Sequence, residues 1–467
     1  MGRKSLYFFY FIGGLFLLLV GPHLFADGMF LDGVTYAAIS NNLAQGLGSF
    51  WKLYYTATLY PEFYEHPPLA LWLEGYLHFV FGSSIYVERC YSFFTAILTG
   101  LMIVLIWRQL GQALILAWVP LLLWLLFPKV SWSYSNNMLE NTMGVFLCAS
   151  VFFYLKSLTE RRALYILLAS FALIFGFLSK GLVAFFILSA PLWFWAIMHK
   201  ETWSRAFIDI GAIFMGFVGF LALLFWIVPD SLNGLGMYFQ FQVLHSLSDV
   251  ITVNNRFRII KDFFNESIIN FVILIIGIGI FYIKSKSLLV FKPYLRTAVA
   301  FIALGLSGVI PIMISMKQSS YYIVPAFPFF AMGYSILLVP VASQVYKYIM
   351  DREAFTRALR IVSLSLCIGA FGFTVYKSQT FGRDEAKLTM IYQFSKSIPP
   401  RTIIDMEPEL KEDWGLHAYF MRYGSVSLDA KSFPQRTFYL CRNSETMTDS
   451  TYLQVDESKG YYLFKRQ

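Results

Sequence analysis

Charged side chains are scarce in this sequence. Only 14% of its 467 residues are Asp, Glu, Lys or Arg, whereas a soluble domain usually has roughly one-quarter. Hydrophobic residues make up 57% of the chain and aromatic residues 19%. Long uncharged runs recur from residue 6 to residue 376, and a bilayer core needs ~20 apolar residues per helix. The composition therefore indicates a polytopic membrane protein.

Cysteine is also rare. The four cysteines (Cys90, Cys148, Cys367, Cys441) lie far apart, and three of them fall in apolar runs. Such spacing predicts neither a disulfide framework nor a cysteine-rich zinc site. The net charge of +9 does not call for a nucleic-acid partner, because basic residues in cytoplasmic loops produce the same excess.

Eleven apolar runs predict transmembrane helices, and boundary choices allow up to thirteen. A further run, 68–82, carries Glu74 and His78, so we expect an interfacial helix there. The predicted fold class is an all-α polytopic membrane protein with interfacial helices in the first outer loop and a small C-terminal α/β domain. The predicted spans are 6–25, 90–107, 112–127, 140–156, 164–179, 182–198, 206–228, 268–283, 296–315, 321–342 and 361–376.

Basic residues predict the orientation in the membrane. With the N-terminus inside, the cytoplasmic segments hold sixteen Lys and Arg, and the outer loops before residue 377 hold eight. We therefore divide the chain into a membrane domain, 1–376, and an extracytoplasmic domain, 377–467, in a cell membrane. The runs "RTIIDM", "RTFYLC" and "GYYLFK" predict strands in the tail. Two long outer loops, 26–89 and 229–267, are where we expect function.

Acidic residues point to the outer interface as the site. Asp32, Glu65, Glu74 and Glu140 all lie there, and Asp209 is near the cytoplasmic end of its span. A transporter usually keeps ionisable residues at mid-membrane depth, and this sequence has few. The pattern favours a surface site, with a transporter or lipid flippase, or a membrane scaffold, as alternatives.

Each candidate side chain also has a structural interpretation. Asp32 could cap the helix that "GVTYAAISNNLA" predicts. Glu140 could interact with a helix dipole, and Lys180 could extend toward the interface as lysines near span ends do. Further polar candidates in the outer segments are Glu65, His66, Arg89, His245, Arg256, Lys317, Tyr321 and Tyr322.

Five stretches in order resemble the GT-C glycosyltransferases. The likeness is to the branch holding protein O-mannosyltransferases and lipid A aminoarabinose transferases, and it covers roughly residues 1–345. That branch has an acid in the first outer loop, a "KPPL-like" motif, a second acid, and a "TKG-like" turn. The matching stretches here are Asp32, "EHPPL" at 65–69, Glu140 in "NNMLEN", "SKG" at 179–181, and "K…YY..P" at 317–325.

Three positions depart from the pattern. The usual acidic pair in the first loop is Asp32-Gly33 here, so the second carboxylate is missing. His66 stands where a lysine precedes Pro-Pro, which removes a permanent positive charge. The second acid is Glu140 rather than aspartate.

The resemblance implies a sugar donor carried on a polyprenyl phosphate and an extracytoplasmic acceptor, which could be a lipid, a glycan or a protein. Asp32 would be the general base, with Glu140 as a second catalytic acid. We expect the carboxylates of Asp32 and Glu140 to face one shared cavity. The donor phosphate would be bound by Lys180, Arg89, Lys317, His66 and Tyr321.

A divalent cation is a further expectation. Hard cations prefer carboxylate oxygens, so Glu140 could hold Mg²⁺ or Mn²⁺, and Glu65 with His245 forms another candidate pair, where Zn²⁺ is also an option. The expected partners are the lipid-linked donor, the acceptor and membrane lipid, without nucleic acid.

Overall fold

The computed structural model describes residues 3–198, 202–245, 250–431, 433–447 and 449–467. Most of the chain is helical, and a small strand-containing domain follows the last long helix. The predicted fold class is confirmed. The α-helices up to residue 198 are Leu6–Phe25, Leu31–Ala44, Leu69–Phe81, Tyr86–Gln109, Trp118–Leu125, Pro128–Ser135, Leu139–Ser157, Arg162–Lys180 and Ala190–Met198.

The rest of the chain is also mainly helical. Three 3-10 segments, Leu182–Ser189, Ile310–Ile314 and Ser320–Ala326, lead into or out of longer helices. The α-helices after residue 201 are Trp203–Ile227, Asp230–Tyr238, Arg258–Ser285, Lys292–Val309, Phe327–Leu337, Val339–Met350, Glu353–Lys377, Glu385–Phe394 and Trp414–Tyr419.

Every predicted span coincides with helical structure. Among the described residues, eight helices are long and apolar enough to cross a membrane, or nine if one bent pair counts as a span. Of the other predicted spans, Leu139–Ser157 falls outside this set, and Leu182–Met198 is a shorter apolar helix. Leu69–Phe81, predicted to be interfacial, is also a shorter apolar helix.

The bent pair has a clear cause. Leu114–Leu125 and Pro128–Ser135 meet at 79°. Proline lacks a backbone N–H and its ring clashes with the preceding turn, so the helix cannot continue straight through Pro128. The second half leads the chain back toward Asn136 and Glu140, which is where the candidate site lies.

The apolar core of the membrane domain surrounds Leu139–Ser157. This helix packs against Tyr86–Gln109 and Arg162–Lys180, and its buried residues include Leu147, Cys148 and Val151. Along most of their length the three helices bury small or apolar side chains, and the buried charged residues lie near the ends of the helices. The start of Leu139–Ser157 and the end of Arg162–Lys180 are thereby brought together.

The tail forms one five-stranded sheet. The strands are β1 (Ile403–Met406), β2 (Ser427–Ala430), β3 (Phe438–Cys441), β4 (Tyr452–Ser458) and β5 (Tyr461–Arg466). Their order is β2-β1-β3-β5-β4, with β1 parallel to β2 and β3, and β5 antiparallel to β3 and β4. All three runs predicted as strands fall in this sheet.

The three segments predicted to lie outside meet on one side of the helical domain. Thr58 Oγ1 donates to Leu428 O at 2.6 Å, which joins the first outer segment to the tail. Lys317 Nζ donates to Gln242 Oε1 at 3.3 Å, which joins the second outer segment to the residues before Tyr321. These contacts place the candidate residues at one end of the helix bundle.

Candidate active site

Asp32 lies in the first turn of Leu31–Ala44. The residue that precedes this helix is Phe30, and no side chain caps it. The interpretation of Asp32 as an N-cap is therefore wrong, since the helix starts one residue earlier. Its carboxylate instead accepts a hydrogen bond from the Tyr321 hydroxyl, with 3.0 Å between Oη and Oδ2.

A loop contact positions the start of this helix. Phe30 N donates to Asn136 Oδ1 at 2.6 Å, and Asn136 Nδ2 donates to Trp132 O at 2.7 Å. The Trp132 ring stacks on Tyr321 with the centroids 5.5 Å apart. The helix Pro128–Ser135 and the residue after it therefore orient both Asp32 and the tyrosine that donates to it.

Glu140 and Lys180 form a buried ion pair. Glu140 lies in the first turn of Leu139–Ser157, and Lys180 is the last residue of Arg162–Lys180. Lys180 Nζ is 2.7 Å from Glu140 Oε1, and their side chains are 8% and 0% exposed. Lys180 therefore does not extend to solvent as an interfacial lysine would. Removing either partner would leave a buried charge uncompensated, which is costly.

The turn after Lys180 requires glycine. Gly181 has φ of +96°, and a Cβ there would lie 1.8 Å from the Tyr238 hydroxyl. Both the backbone conformation and the space exclude other residues. In the "SKG" motif, Lys180 thus ends the helix and Gly181 allows the backbone to turn close to Tyr238.

Two tyrosine rings contact the lysine from a further element. Lys180 Nζ lies 5.7 Å from the ring centroid of Tyr321 and 5.5 Å from that of Tyr322. Cation–π contacts at these distances are attractive. Asp32, Tyr321, Lys180 and Glu140 therefore form one continuous chain of contacts.

His66 is neutral in this environment. Burial, and then the positive charges of Lys180 and Lys317, hold the pKa of the His66 imidazole well below its ordinary value. Its Nε2 is 3.1 Å from the Tyr36 hydroxyl, and Nδ1 has no hydrogen-bond partner among the described residues. His66 thus provides a polar group without a charge where a lysine is usual.

The Asp32 carboxyl is a weaker acid than a free aspartic acid. Burial raises its pKa above the ordinary value, while Lys180, the hydrogen bond from Tyr321 and Lys317 each lower it. A base with a raised pKa accepts a proton more readily, as long as it remains ionised at the working pH.

Two adjoining cavities meet at these residues. The first, of about 300 Å³, is lined by Asp32, Glu65 and Tyr321 among others, and we call it the Asp32 cavity. The second, of about 570 Å³, is lined by Glu140 and many apolar side chains, and we call it the lipid groove. Five residues line both: His66, Lys180, Gln242, Lys317 and Tyr322.

The lipid groove continues along the membrane-spanning part of the protein. A further apolar cavity of about 420 Å³ shares Phe185, Phe186, Ser307 and Pro311 with it. Together these cavities make an apolar path that runs from the lysines along Leu182–Ser189 and the end of Lys292–Val309. The polar and apolar parts meet at Lys180 and Lys317.

Some predicted residues are not brought to this site. The Arg89 guanidinium is buried and donates to Ile85 O at 2.9 Å and Ala26 O at 3.1 Å, beside Asp27. Glu74 accepts a hydrogen bond from Asn137 Nδ2 at 2.9 Å. His245 is exposed and lines neither cavity. Structural roles account for Arg89 and Glu74.

The expected divalent cation stays a prediction. Among the described residues, no three His, Cys, Asp or Glu side chains come together as metal ligands. Lys180 lies against Glu140, the carboxylate that was expected to hold the cation. No step of the chemistry below is routed through a metal.

Several site residues carry no signal that sequence reasoning could use. Tyr36, Gln242 and Trp414 line the cavities, and Asn136 and Tyr238 position the two helix ends. Asn136 stood within a quoted motif, "NNMLEN", and Tyr36 within the quoted helical stretch "GVTYAAISNNLA", but neither was singled out. Gln242, Trp414 and Tyr238 come from segments far apart in sequence that only the folded chain brings together.

Known proteins share the fold of this chain and part of its sequence pattern. A family model described as dolichyl-phosphate-mannose-protein mannosyltransferase matches residues 65–226. ArnT from Cupriavidus metallidurans, in its structure bound to undecaprenyl phosphate, superposes with a TM-score of 0.69. This chain has the ArnT fold. Identity is 14%, and the match covers 97% of each chain.

A second structure supports the same conclusion about fold. ArnT from Cupriavidus metallidurans in the apo state superposes with a TM-score of 0.65 at 14% identity, covering 98% of this chain and 97% of ArnT. No curated protein matches the sequence. The ArnT fold extends through the tail domain, beyond the roughly 345 residues in which the motifs occur. The resemblance to the GT-C branch of ArnT and the protein mannosyltransferases is thus confirmed.

Proposed function

We propose that this protein is a membrane glycosyltransferase that moves a hexose or pentose from a polyprenyl-phosphate carrier to an acceptor outside the cytoplasm. The observation that carries the proposal is the junction of the two cavities. Asp32 faces the polar one, the apolar one follows the membrane-spanning helices, and Lys180 and Lys317 line both.

The donor fits this junction in one orientation. A polyprenyl tail is apolar and belongs in the lipid groove, where burial of its surface is favourable. Its phosphate then lies beside Lys180 and Lys317, and the sugar enters the Asp32 cavity. The undecaprenyl phosphate bound to ArnT, and the dolichyl-phosphate donor in the name of the matching family, support this choice of carrier.

The chemistry needs one base and stabilisation of one leaving group. The Asp32 carboxylate takes the proton of an acceptor hydroxyl, whose oxygen bonds to the anomeric carbon. The bond from that carbon to the phosphate oxygen breaks, and its electron pair leaves with the phosphate. Lys180 and Lys317 neutralise the charge that develops there, and Glu140 holds Lys180 in position.

A transporter or flippase is the alternative function. It would require polar groups along the path through the membrane. The polar lining instead collects at one end of the lipid groove, and the cavity beyond it is lined by apolar side chains apart from Ser189 and Ser307. This distribution supports chemistry at the interface.

The test is a transfer assay with the purified protein in lipid vesicles and a panel of polyprenyl-phosphate sugars. Asp32→Asn keeps the shape and can still accept the Tyr321 hydrogen bond, but it cannot take a proton. We expect its rate to fall by roughly 10²–10⁴-fold, the usual contribution of a positioned base.

Asp230→Asn is the matched control, because Asp230 also lies in the first turn of a helix, is exposed, and lines neither cavity. An Asp32→Asn variant as active as this control would overturn the assignment of Asp32 as the base.

We also propose that the cavities and the tail face the outside of the cell membrane, with the N-terminus in the cytoplasm. A cysteine placed at exposed Ser397 should react with an impermeant reagent in intact cells. A cysteine at Ser285 should react only after permeabilisation. The reverse labelling pattern would invert the proposed orientation.

A further inference from the structure

Two exposed aromatic rings lie on the walls of the Asp32 cavity. Tyr60 comes from the first outer segment and Trp414 from the tail domain, and both line this cavity. Each is 39% exposed, although large aromatic side chains are usually more fully covered. Part of each ring is therefore accessible to a molecule in the cavity.

The Tyr60 ring is carried by a tight, anchored loop. Tyr60 has φ of +49°, an uncommon conformation for a residue with a side chain. Tyr55 N donates to Tyr60 O at 3.2 Å, which closes the loop. Thr58 Oγ1 donates to Leu428 O at 2.6 Å, which fastens the loop to the tail domain.

The helix that carries Trp414 is also anchored. Trp414 begins the short helix Trp414–Tyr419, and Asp413 caps it by accepting from Leu416 N at 3.1 Å. Lys387 Nζ donates to the same carboxylate at 2.7 Å. Both backbone segments that carry the rings are thus anchored before any ligand arrives, which lowers the entropic cost of binding.

Once the donor phosphate is bound, the charge left on the cavity wall disfavours a second anionic ligand. Of the charged side chains that line it, Lys180 is already paired with Glu140. The carboxylates of Asp32 and Glu65 then oppose a single cation, Lys317. With the donor phosphate beside Lys317, the remaining charge is negative. A phosphorylated or sulfated acceptor would be repelled, since like charges in a partly buried site interact strongly.

We infer that the acceptor is an uncharged glycan whose terminal sugar ring packs against Tyr60 and Trp414. The C–H groups on one face of a sugar ring match the negative face of an aromatic ring, and its hydroxyls can donate to the Glu65 carboxylate. This arrangement presents one hydroxyl toward Asp32. The inference rests on the proposed function, because it names the molecule that the proposed base would activate.

The first experiment measures binding, so that it does not depend on turnover. Uncharged hexose and N-acetylhexosamine oligosaccharides are added to the full-length protein in nanodiscs, and saturation-transfer NMR detects bound sugars. The same oligosaccharides carrying a phosphate group form the second arm. We expect the uncharged set to bind, the phosphorylated set to bind at least tenfold more weakly, and Trp414→Ala to weaken binding roughly five- to tenfold.

Phe433→Ala is the matched control, because Phe433 is an 81% exposed aromatic residue of the same tail domain that lines neither cavity. This variant should bind as the unmodified protein does. The inference is overturned if no uncharged oligosaccharide binds, if the phosphorylated set binds better, or if Trp414→Ala and Phe433→Ala behave alike.

A second experiment separates this inference from the proposed function. The rates of sugar transfer to an uncharged oligosaccharide and of donor hydrolysis by water are measured together. We expect Tyr60→Ala and Trp414→Ala to raise the KM for the acceptor and to lower the ratio of transfer to hydrolysis. Asp32-dependent donor turnover with a peptide as the only acceptor would overturn the glycan inference and leave the glycosyltransferase proposal standing. Absence of donor turnover with any sugar would contradict the glycosyltransferase itself.

Discussion

Gly33 and Asn136 are in direct contact through their main chains. A Cβ added to Gly33 would lie 2.0 Å from the carbonyl oxygen of Asn136, far inside van der Waals distance. Asn136 also accepts the Phe30 N–H through its side chain. The residue that follows the catalytic candidate must therefore be glycine, which explains why the usual second carboxylate is absent here.

The contact leads to a prediction for Gly33→Ala. The new methyl group would displace either the helix that carries Asp32 or the loop that precedes Glu140, since neither backbone can yield locally. We expect a loss of roughly 1–3 kcal/mol in the free energy of unfolding and a larger fall in transfer than in stability. Gly13→Ala is the control, because nothing lies within 4 Å of that site; it should be neutral or slightly stabilising. Thermal unfolding in detergent, with transfer assays, tests both.

The pH dependence of transfer should report on Asp32. Its pKa is raised by burial, so the base becomes protonated, and activity falls, at a pH above that of an ordinary aspartate as the solution is acidified. Lys317 and the Tyr321 hydrogen bond both lower this pKa. Removing either influence in Lys317→Gln or Tyr321→Phe should therefore move the acid limb of the rate profile to higher pH.

Lys52→Gln is the comparison for these variants, because Lys52 is an exposed lysine of the first outer segment paired with Glu62. Its acid limb should match that of the unmodified protein. An unshifted limb in both Lys317→Gln and Tyr321→Phe would mean that Asp32 is not the titrating base.

The buried pair of Glu140 and Lys180 allows stability and activity to be separated. Lys180→Met leaves the Glu140 carboxylate buried without its cation, and we expect it to cost roughly 3–5 kcal/mol. The double variant Glu140→Gln/Lys180→Met removes both charges and should recover much of that loss. Its transfer activity should nevertheless stay low, because the donor phosphate loses Lys180. Full activity in the double variant would contradict the proposed role of this lysine.

The tail domain is fastened to the membrane domain by a buried ion pair. Arg422 Nη2 lies 2.9 Å from Glu88 Oε2, and both side chains are almost fully buried. Arg422→Ala would remove the cation closest to Glu88 and leave only the longer contacts with Arg89 at 3.5 Å and His78 at 3.7 Å, so we expect a loss of roughly 3 kcal/mol. Arg383→Ala breaks an exposed pair with Asp384 and should cost at most ~1 kcal/mol. The stability of the two variants is compared by thermal unfolding and by limited proteolysis of the tail.

The sequence by itself determined the positions of the helices. Apolar runs long enough to cross a bilayer must form helices there, because unpaired backbone groups are too costly in lipid. In the tail, the predicted strands became β1, β3 and β5, the central strands of the sheet. The two strands that were not predicted, β2 and β4, are the edge strands of this sheet. Edge strands are partly solvated, as the exposed middle of β4 shows, so they lack a continuous apolar signal.

The tertiary structure alone decided which polar residues share a site. Asp32, Glu140, Lys180 and Lys317 stood out in sequence because each interrupts an apolar context near the predicted outer face. Arg89 and Glu74 stood out for the same reason, yet both are used in structural contacts elsewhere. A charge near a helix end shows only that water or a partner is nearby. The partner depends on how the helices pack, and that is settled by long-range contacts such as Tyr321 with Asp32 and Gly33 with Asn136.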